Sequence, residues 1–215
     1  MRILFIITAL VFLLVPVSNS EAVLDLGISI GEEGLRSFHL AIGDFYKIPR
    51  KDIGIFRKKL PDEEIPVALF LAQRARIKPA KIIDLRLRGK TWMDISLHFG
   101  LGPEIFHVPV KESVVLGPPY GKAYGYYKNK PKKEWKKIRL RDGDIINLVN
   151  LKFLSEHYGL PPEKVIKMRE KGIKFISIND EIVKEKKGGK GSKEHKKEKD
   201  GEGKKEKHKG KGWKD

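Results

Sequence analysis

The stretch IKPAKIIDLRLRGKTWMDI, residues 77–95, decides the fold, because LPPEKVIKMREKGIKFISI, residues 160–178, repeats its punctuation. Each places an apolar residue ahead of a proline, then Ile82-Ile83 or Val165-Ile166, then an apolar–Arg pair, Leu85-Arg86 or Met168-Arg169. Each then stops at a glycine, Gly89 or Gly172, and resumes at an aromatic, Trp92 or Phe175, with Ile95 or Ile178 three residues on. Proline is tolerated in the first turn of a helix, where its missing N–H costs nothing. Glycine suits the left-handed residue that closes a helix. The grammar is therefore helix, tight turn, helix, and its recurrence marks an internal repeat.

A third copy opens at Ile48-Pro49-Arg50-Lys51-Asp52-Ile53 and reaches Phe56-Arg57, but it lacks the glycine and passes into Pro61-Asp62. The helix before each turn also matches, with Leu40-Ala41-Ile42-Gly43, Leu69-Phe70-Leu71-Ala72 and Phe153-Leu154-Ser155 in equivalent places and Tyr46, Ala75 and Tyr158 at the ends. Helices are predicted near 35–46, 50–59, 62–76, 79–88, 91–99, 143–158, 162–171 and 174–184. Gly102-Pro103-Glu104 reads as a fourth opening cut short. The expected fold is mainly α, a stack of short antiparallel helices built from an imperfect repeat, since short loops join antiparallel neighbours. Alternation over residues 23–30, together with Ile105–Val110 and Lys136–Leu140, adds the expectation of a small β element.

Outside the repeat the chain divides by composition. Arg2 followed by the apolar run Ile3–Val15, Pro16 and the small residues Ser18-Asn19-Ser20 reads as a signal peptide over residues 1–20, cut near Ser20 or Ala22. The run is short for a bilayer span, and no second long apolar run follows it, so no transmembrane helix is expected in the mature chain. The expected location is secreted or periplasmic. Residues 21–183 form the helical-repeat domain. Residues 184–215 hold 14 Lys, 7 Gly and 7 acids with no aliphatic side chain. A segment so poor in apolar surface cannot offset its ordering entropy, and a disordered tail is expected.

The 215 residues carry 45 Lys and Arg against 28 Asp and Glu, a formal charge of +17. Much of the excess in the domain falls in an insertion at about 107–141, where Lys111–Arg141 holds ten basic residues and two acids. Within it, GPPYGKAYGYYKNKPKKEWKK, residues 117–137, gathers four of the six tyrosines, Tyr120, Tyr124, Tyr126 and Tyr127. Glycine at 117, 121 and 125 argues against helix and for an irregular loop. Exposed tyrosine faces beside Lys128, Lys130, Lys132, Lys133, Trp135, Lys136 and Lys137 would suit an anionic polymer, a lipid headgroup or an acidic protein. The competing reading has the tyrosines folded onto the stack and the lysines merely solvated.

Candidate chemistry is otherwise thin. Cysteine is absent, which excludes thiolate metal sites, Cys nucleophiles and disulfides. Gly27-Ile28-Ser29-Ile30-Gly31 matches the nucleophile-elbow pattern, but the parallel sheet that such an elbow needs is not legible, and we reject it. His39, His98, His107 and His157 lack metal-ligand spacing, and His195 and His208 lie in the tail. No catalytic, cofactor or metal residue is nominated, and an enzyme is not expected. Arg57, Arg86 and Arg169 share one repeat position and are expected to pair with acids or cap carbonyls. Asn147 and Asn150, in an apolar helix, are expected to bond between helices.

Segments AIGDFYKIP, DEEIPVALFLAQRARIKP, IIDLRLRGKTWMDISLHFGLGPEIF, GPPYGKAYGYYKNKPKKEW and NLVNLKFLSEHYGLPPEKVIKMREKG resemble a group of uncharacterised exported bacterial proteins. The resemblance covers roughly 38–183. It implies export and helical architecture and carries over no catalytic residue. The expected function is an exported, non-enzymatic protein that binds an anionic envelope component through the Tyr/Lys loop and the Lys-rich tail. The alternative is an interaction module binding a partner protein through helix faces. A helix-turn-helix DNA binder comes third, reserved for a chain that is not exported.

Overall fold

The computed structural model describes residues 31–199, with side chains described through residue 187. The signal-peptide segment, the alternating stretch 23–30, all but Gly31 of the elbow-like pattern, and the chain beyond Lys199 lie outside the described residues. The fold is mainly α, and no strand occurs among the described residues.

Among the described residues nine α-helices follow in order: α1 (Glu32–Tyr46), α2 (Arg50–Phe56), α3 (Ile65–Ala75), α4 (Pro79–Leu87), α5 (Trp92–His98), α6 (Gly121–Lys128), α7 (Asp142–Tyr158), α8 (Pro162–Glu170) and α9 (Phe175–Lys199). Short 3₁₀ turns at Asp62–Glu64, Pro103–Phe106 and Lys132–Lys137 complete the described structure.

The repeat has a backbone cause. Helices α1, α3 and α7 each end on one left-handed residue, at Lys47, Arg76 and Gly159. The next residue is apolar and donates its N–H five residues back: Ile48 to Gly43 O, Ile77 to Ala72 O and Leu160 to Ser155 O, at 2.9–3.0 Å. This is the Schellman closure, which satisfies carbonyls that the helix itself leaves free. Chain reversal then places Pro49, Pro79 or Pro161-Pro162 at the start of the following helix. Gly43 is required by the turn of α1, since a Cβ there would lie 3.0 Å from the Ile48 carbonyl oxygen. Gly89 and Gly172, expected as helix stops, have φ of +81° and +82°.

Helices α3 and α7 pack against each other at the centre. Every residue from Ile65 to Ala72 is buried, as a helix apolar on all sides must be. Helix α4 lies on α3, α8 on α7, and α1 covers α7 and α9. Phe38, Ile42, Ile65, Leu71, Ile82, Trp92, Ile95, Phe153 and Phe175 form the fully buried centre.

Two expectations need correction. Ile105–Val110 and Lys136–Leu140 are not strands: Ile105-Phe106 and Lys136-Lys137 lie in 3₁₀ turns, and Phe106, Val108, Ile138 and Leu140 bury themselves singly in the core. Pro103, Pro109 and Pro131 punctuate both stretches, and proline cannot donate to a ladder. The tail boundary drawn at Lys184 falls inside α9, which continues to Lys199. Its first turn past the boundary is tied down, with Lys184 paired to Asp180, Glu185 to Lys164, and Lys186 donating to the Tyr158 carbonyl. Lysine and glutamate are good helix formers, whereas Gly188, Gly189 and Gly191 in the same stretch are poor ones. No helix among the described residues is long and apolar enough to cross a membrane.

Lys47 and Arg76 hold φ of +58° and +56°, a region that costs a side-chain-bearing residue about 1 kcal/mol. Both side chains are exposed. Arg76→Gly is expected to raise the unfolding free energy by about 0.5–1 kcal/mol, read as a higher urea midpoint at unchanged m-value.

Candidate functional site

The insertion is a folded scaffold for its lysines. Residues 121–128 form α6, so the expected irregular loop is corrected. Tyr120, Ala123, Tyr124 and Tyr127 fall at helical spacing, and all four are buried. Burial of three tyrosines outweighs the poor propensity of Gly121 and Gly125. Gly121 is in fact needed: a Cβ there would meet the Leu116 carbonyl oxygen at 2.6 Å.

The tyrosines are therefore not exposed stacking faces. The Tyr124 hydroxyl donates to Val108 O and that of Tyr127 to Pro103 O, each at 2.7 Å. Burial pushes the phenols of Tyr120, Tyr124 and Tyr127 well above the usual tyrosine range, so all three stay neutral hydrogen-bond donors. Tyr126 and Trp135 are half-buried. Trp135 donates its indole N–H to the carbonyls of Tyr127 and Lys130, at 3.1 and 3.0 Å. Its ring sits 4.9 Å from Tyr127 and 4.7 Å from His107. Burial, and secondarily Lys132, hold His107 below the ordinary histidine value.

On this aromatic base the lysines separate by position. Lys128, Lys132, Lys133, Lys136 and Lys137 are exposed, whereas Lys130 is half-buried. Four of the exposed five lie on the single 3₁₀ turn Lys132–Lys137, whose interior is Glu134 and Trp135. Lys137 and Glu134 stand 3.9 Å apart at the surface, a pairing worth little. The far end of the insertion is fixed by α8. Glu163 accepts the Lys111 backbone N–H at 2.9 Å, and Glu170 accepts that of Gly117 at 2.7 Å. The Lys111 bond holds the Glu163 carboxyl below its usual value.

A second polar cluster lies between the two long repeats. The Arg86 guanidinium meets Glu64 through two bonds of 2.9 Å, reaches Asp142, and caps Lys90 O, while stacking 4.7 Å over Trp92. Arg169 repeats the pose: it meets Asn147, caps Ile173 O and stacks 4.8 Å over Phe175. The caps are exchanged between repeats, with Asp142 accepting from Trp92 N and Glu63 from Phe175 N. Asn150 donates to Glu63 O, and with Asn147 it joins helices as expected. Arg57 is exposed and takes no comparable place. Glu64 went unnoticed in the sequence, yet it stands 83 residues before Asn147, the same interval as Arg86 and Arg169. Extending the repeat upstream of its prolines finds it.

The histidines serve packing and pairing. His39 meets Asp62 at 2.6 Å, His98 lies against Phe99, and His157 packs among Phe45, Phe153 and Tyr158. No group of three or more His, Cys, Asp or Glu is placed to hold a metal among the described residues. A groove of about 520 Å³ runs between Leu116–Lys122 and the start of α7, with Lys122 and Arg141 at its rim.

No protein-family model matches the chain, and neither the curated proteins nor the solved structures contain a match.

Two outcomes follow from these contacts. Arg86→Leu strands the Glu64 and Asp142 carboxylates, and because the cluster is only partly buried the expected loss is about 3 kcal/mol, at the low end for a broken buried pair, read by urea denaturation. His107 and His157 are both held below 6.5, chiefly by burial. The unfolded chain therefore takes up protons first. Unfolding free energy should be level between about pH 7 and 9, fall as pH drops through 6.5 toward the folded values, and fall again above about pH 10, where the unfolded tyrosines ionise. His107→Phe should reduce that slope just below pH 6.5.

Proposed function

We propose that the protein is an exported, non-enzymatic binding protein that engages an anionic polymer of the cell envelope through a lysine ridge. The ridge is Lys128, Lys132, Lys133, Lys136 and Lys137, supplemented by the Lys-rich segment that follows the domain. Tyr127 and Trp135 hold this ridge from beneath, and Lys130, whose carbonyl takes the Trp135 indole N–H, stands at its margin. The observation that supports the reading is the pinning of four exposed lysines on one short turn by the Trp135 indole and the Tyr127 ring. Cations spaced on a fixed backbone lose less conformational freedom on binding than the same cations on a flexible loop. Recognition of this kind counts charges and does not read sequence.

The alternatives fare less well on particular observations. A partner protein bound through helix faces would need a contiguous apolar patch. The exposed large apolar side chains among the described residues are Ile55, Leu87, Leu97 and Val115, on four different segments. A helix-turn-helix DNA reader would present α5 to the groove. That helix has no Lys or Arg anywhere from Thr91 to Val110, and its N-terminal N–H groups are already bonded to Asp142 and Thr91.

The test uses short duplex DNA as a model polyanion, titrated at 50 and 200 mM salt. With about five phosphate contacts, affinity is expected to fall roughly five-hundredfold over that range. Changing the five ridge lysines to Gln should lower the salt slope by about 4 to 5, the share of five phosphate contacts, and leave the circular dichroism unchanged. A quintuple variant that binds with unaltered affinity and slope would sink the lysine ridge as the binding site.

A further inference from the structure

Residues 111–117, Lys-Glu-Ser-Val-Val-Leu-Gly, arch away from the body between two fixed points. Both points are carboxylates on one helix: Glu163 holds the Lys111 N–H and Glu170 the Gly117 N–H. Seven residues along α8 put these carboxylates about 10 Å apart. Six residues of chain can reach about 20 Å. The surplus must bow outward. Val115 stands at the crest, 93% exposed, against 56% for the next most exposed large apolar side chain, Leu87. The segment closes one turn, Val114 N–H to Lys111 O, and the N–H groups of Val115 and Leu116 have no partner among the described residues.

A segment with unpaired backbone groups, an outward apolar side chain and fixed ends is set up to be bound as an added strand. Its backbone bonds supply affinity and its side chain supplies selectivity. Fixed ends reduce the ordering cost. We propose that residues 111–117 are a presented cleavage site for an endopeptidase whose primary pocket takes a small branched aliphatic side chain, with hydrolysis at Val115–Leu116. Water adds across the peptide C–N bond, leaving a carboxylate on Val115 and an ammonium on Leu116.

Both fragments stay in the fold after the cut. The upstream piece keeps Phe106 and Val108 in the core, and the downstream piece keeps Tyr120, Tyr124 and Tyr127 there. The Tyr124 hydroxyl joins the two pieces through Val108 O. The new Leu116 ammonium forms next to Gly117, whose N–H already meets Glu170, so it gains a carboxylate neighbour.

The experiment treats the native full-length chain with a small proportion of pancreatic elastase, followed by intact mass and gel filtration. The expected result is a first cut at Val115–Leu116, with the two fragments co-eluting at the size of the uncut protein. Val115→Asp, at an exposed site, should leave the thermal midpoint unchanged and slow the first cut at least tenfold. A first cut at any other bond, fragments that separate, or a Val115→Asp variant cut at the wild-type rate would each overturn the proposal.

Discussion

Everything in the body turns on a charged exchange between its two long repeats. Arg86 brings Glu64 from its own repeat and Asp142 from the other onto one guanidinium, over the face of Trp92. Asp142 meanwhile caps the start of α5, and Glu63 caps the start of α9. A carboxylate at a helix start satisfies an N–H that the helix leaves unpaired and sits at the favourable end of its dipole. Each repeat thus lends the other a carboxylate at the start of its third helix. The central packing of α3 on α7 is apolar, and apolar contact alone would tolerate sliding. The exchanged caps fix the register.

The insertion is built by the same logic with different chemistry. Here α8 supplies Glu163 and Glu170 to the incoming backbone, and the aromatic cluster of His107, Tyr124, Tyr127 and Trp135 supplies the base. The cationic turn Lys132–Lys137 stands on that base as a consequence of the packing beneath it. Charge at the surface and neutrality in the layer below are both enforced by burial, which keeps the phenols protonated and His107 uncharged at neutral pH.

The helices were legible because their punctuation is local. Pro79, Gly89, Pro162 and Gly172 act on the residues beside them, and the expected ranges fall within a few residues of those observed, except that α9 runs on past the expected end at 184. The tyrosine cluster was legible as core only as one of two competing readings, and its helix was not legible at all. Tyr120, Tyr124 and Tyr127 do stand at helical spacing, but Gly121 and Gly125 among them spoke against helix. What decides the matter lies elsewhere in the chain: the Val108 and Pro103 carbonyls that take their hydroxyl protons, and the Leu116 carbonyl that makes Gly121 necessary. Arg86 and Arg169 were recognisable as equivalent positions. The carboxylates on the Trp92 and Phe175 N–H groups, Asp142 and Glu63, break the repeat symmetry, so no alignment of the copies could supply them.

The exchanged caps also impose an order of events on the chain. Trp92 cannot find its cap until Asp142 is available, and Glu63 must wait for Phe175, a separation of 112 residues. Contacts so distant along the chain close slowly, since the loop between them must be ordered before they reward it. A nascent N-terminal half therefore still lacks Asp142 and the face of α7 on which α3 packs. For a chain exported as proposed above, that delay keeps the polypeptide threadable until its second repeat has been made.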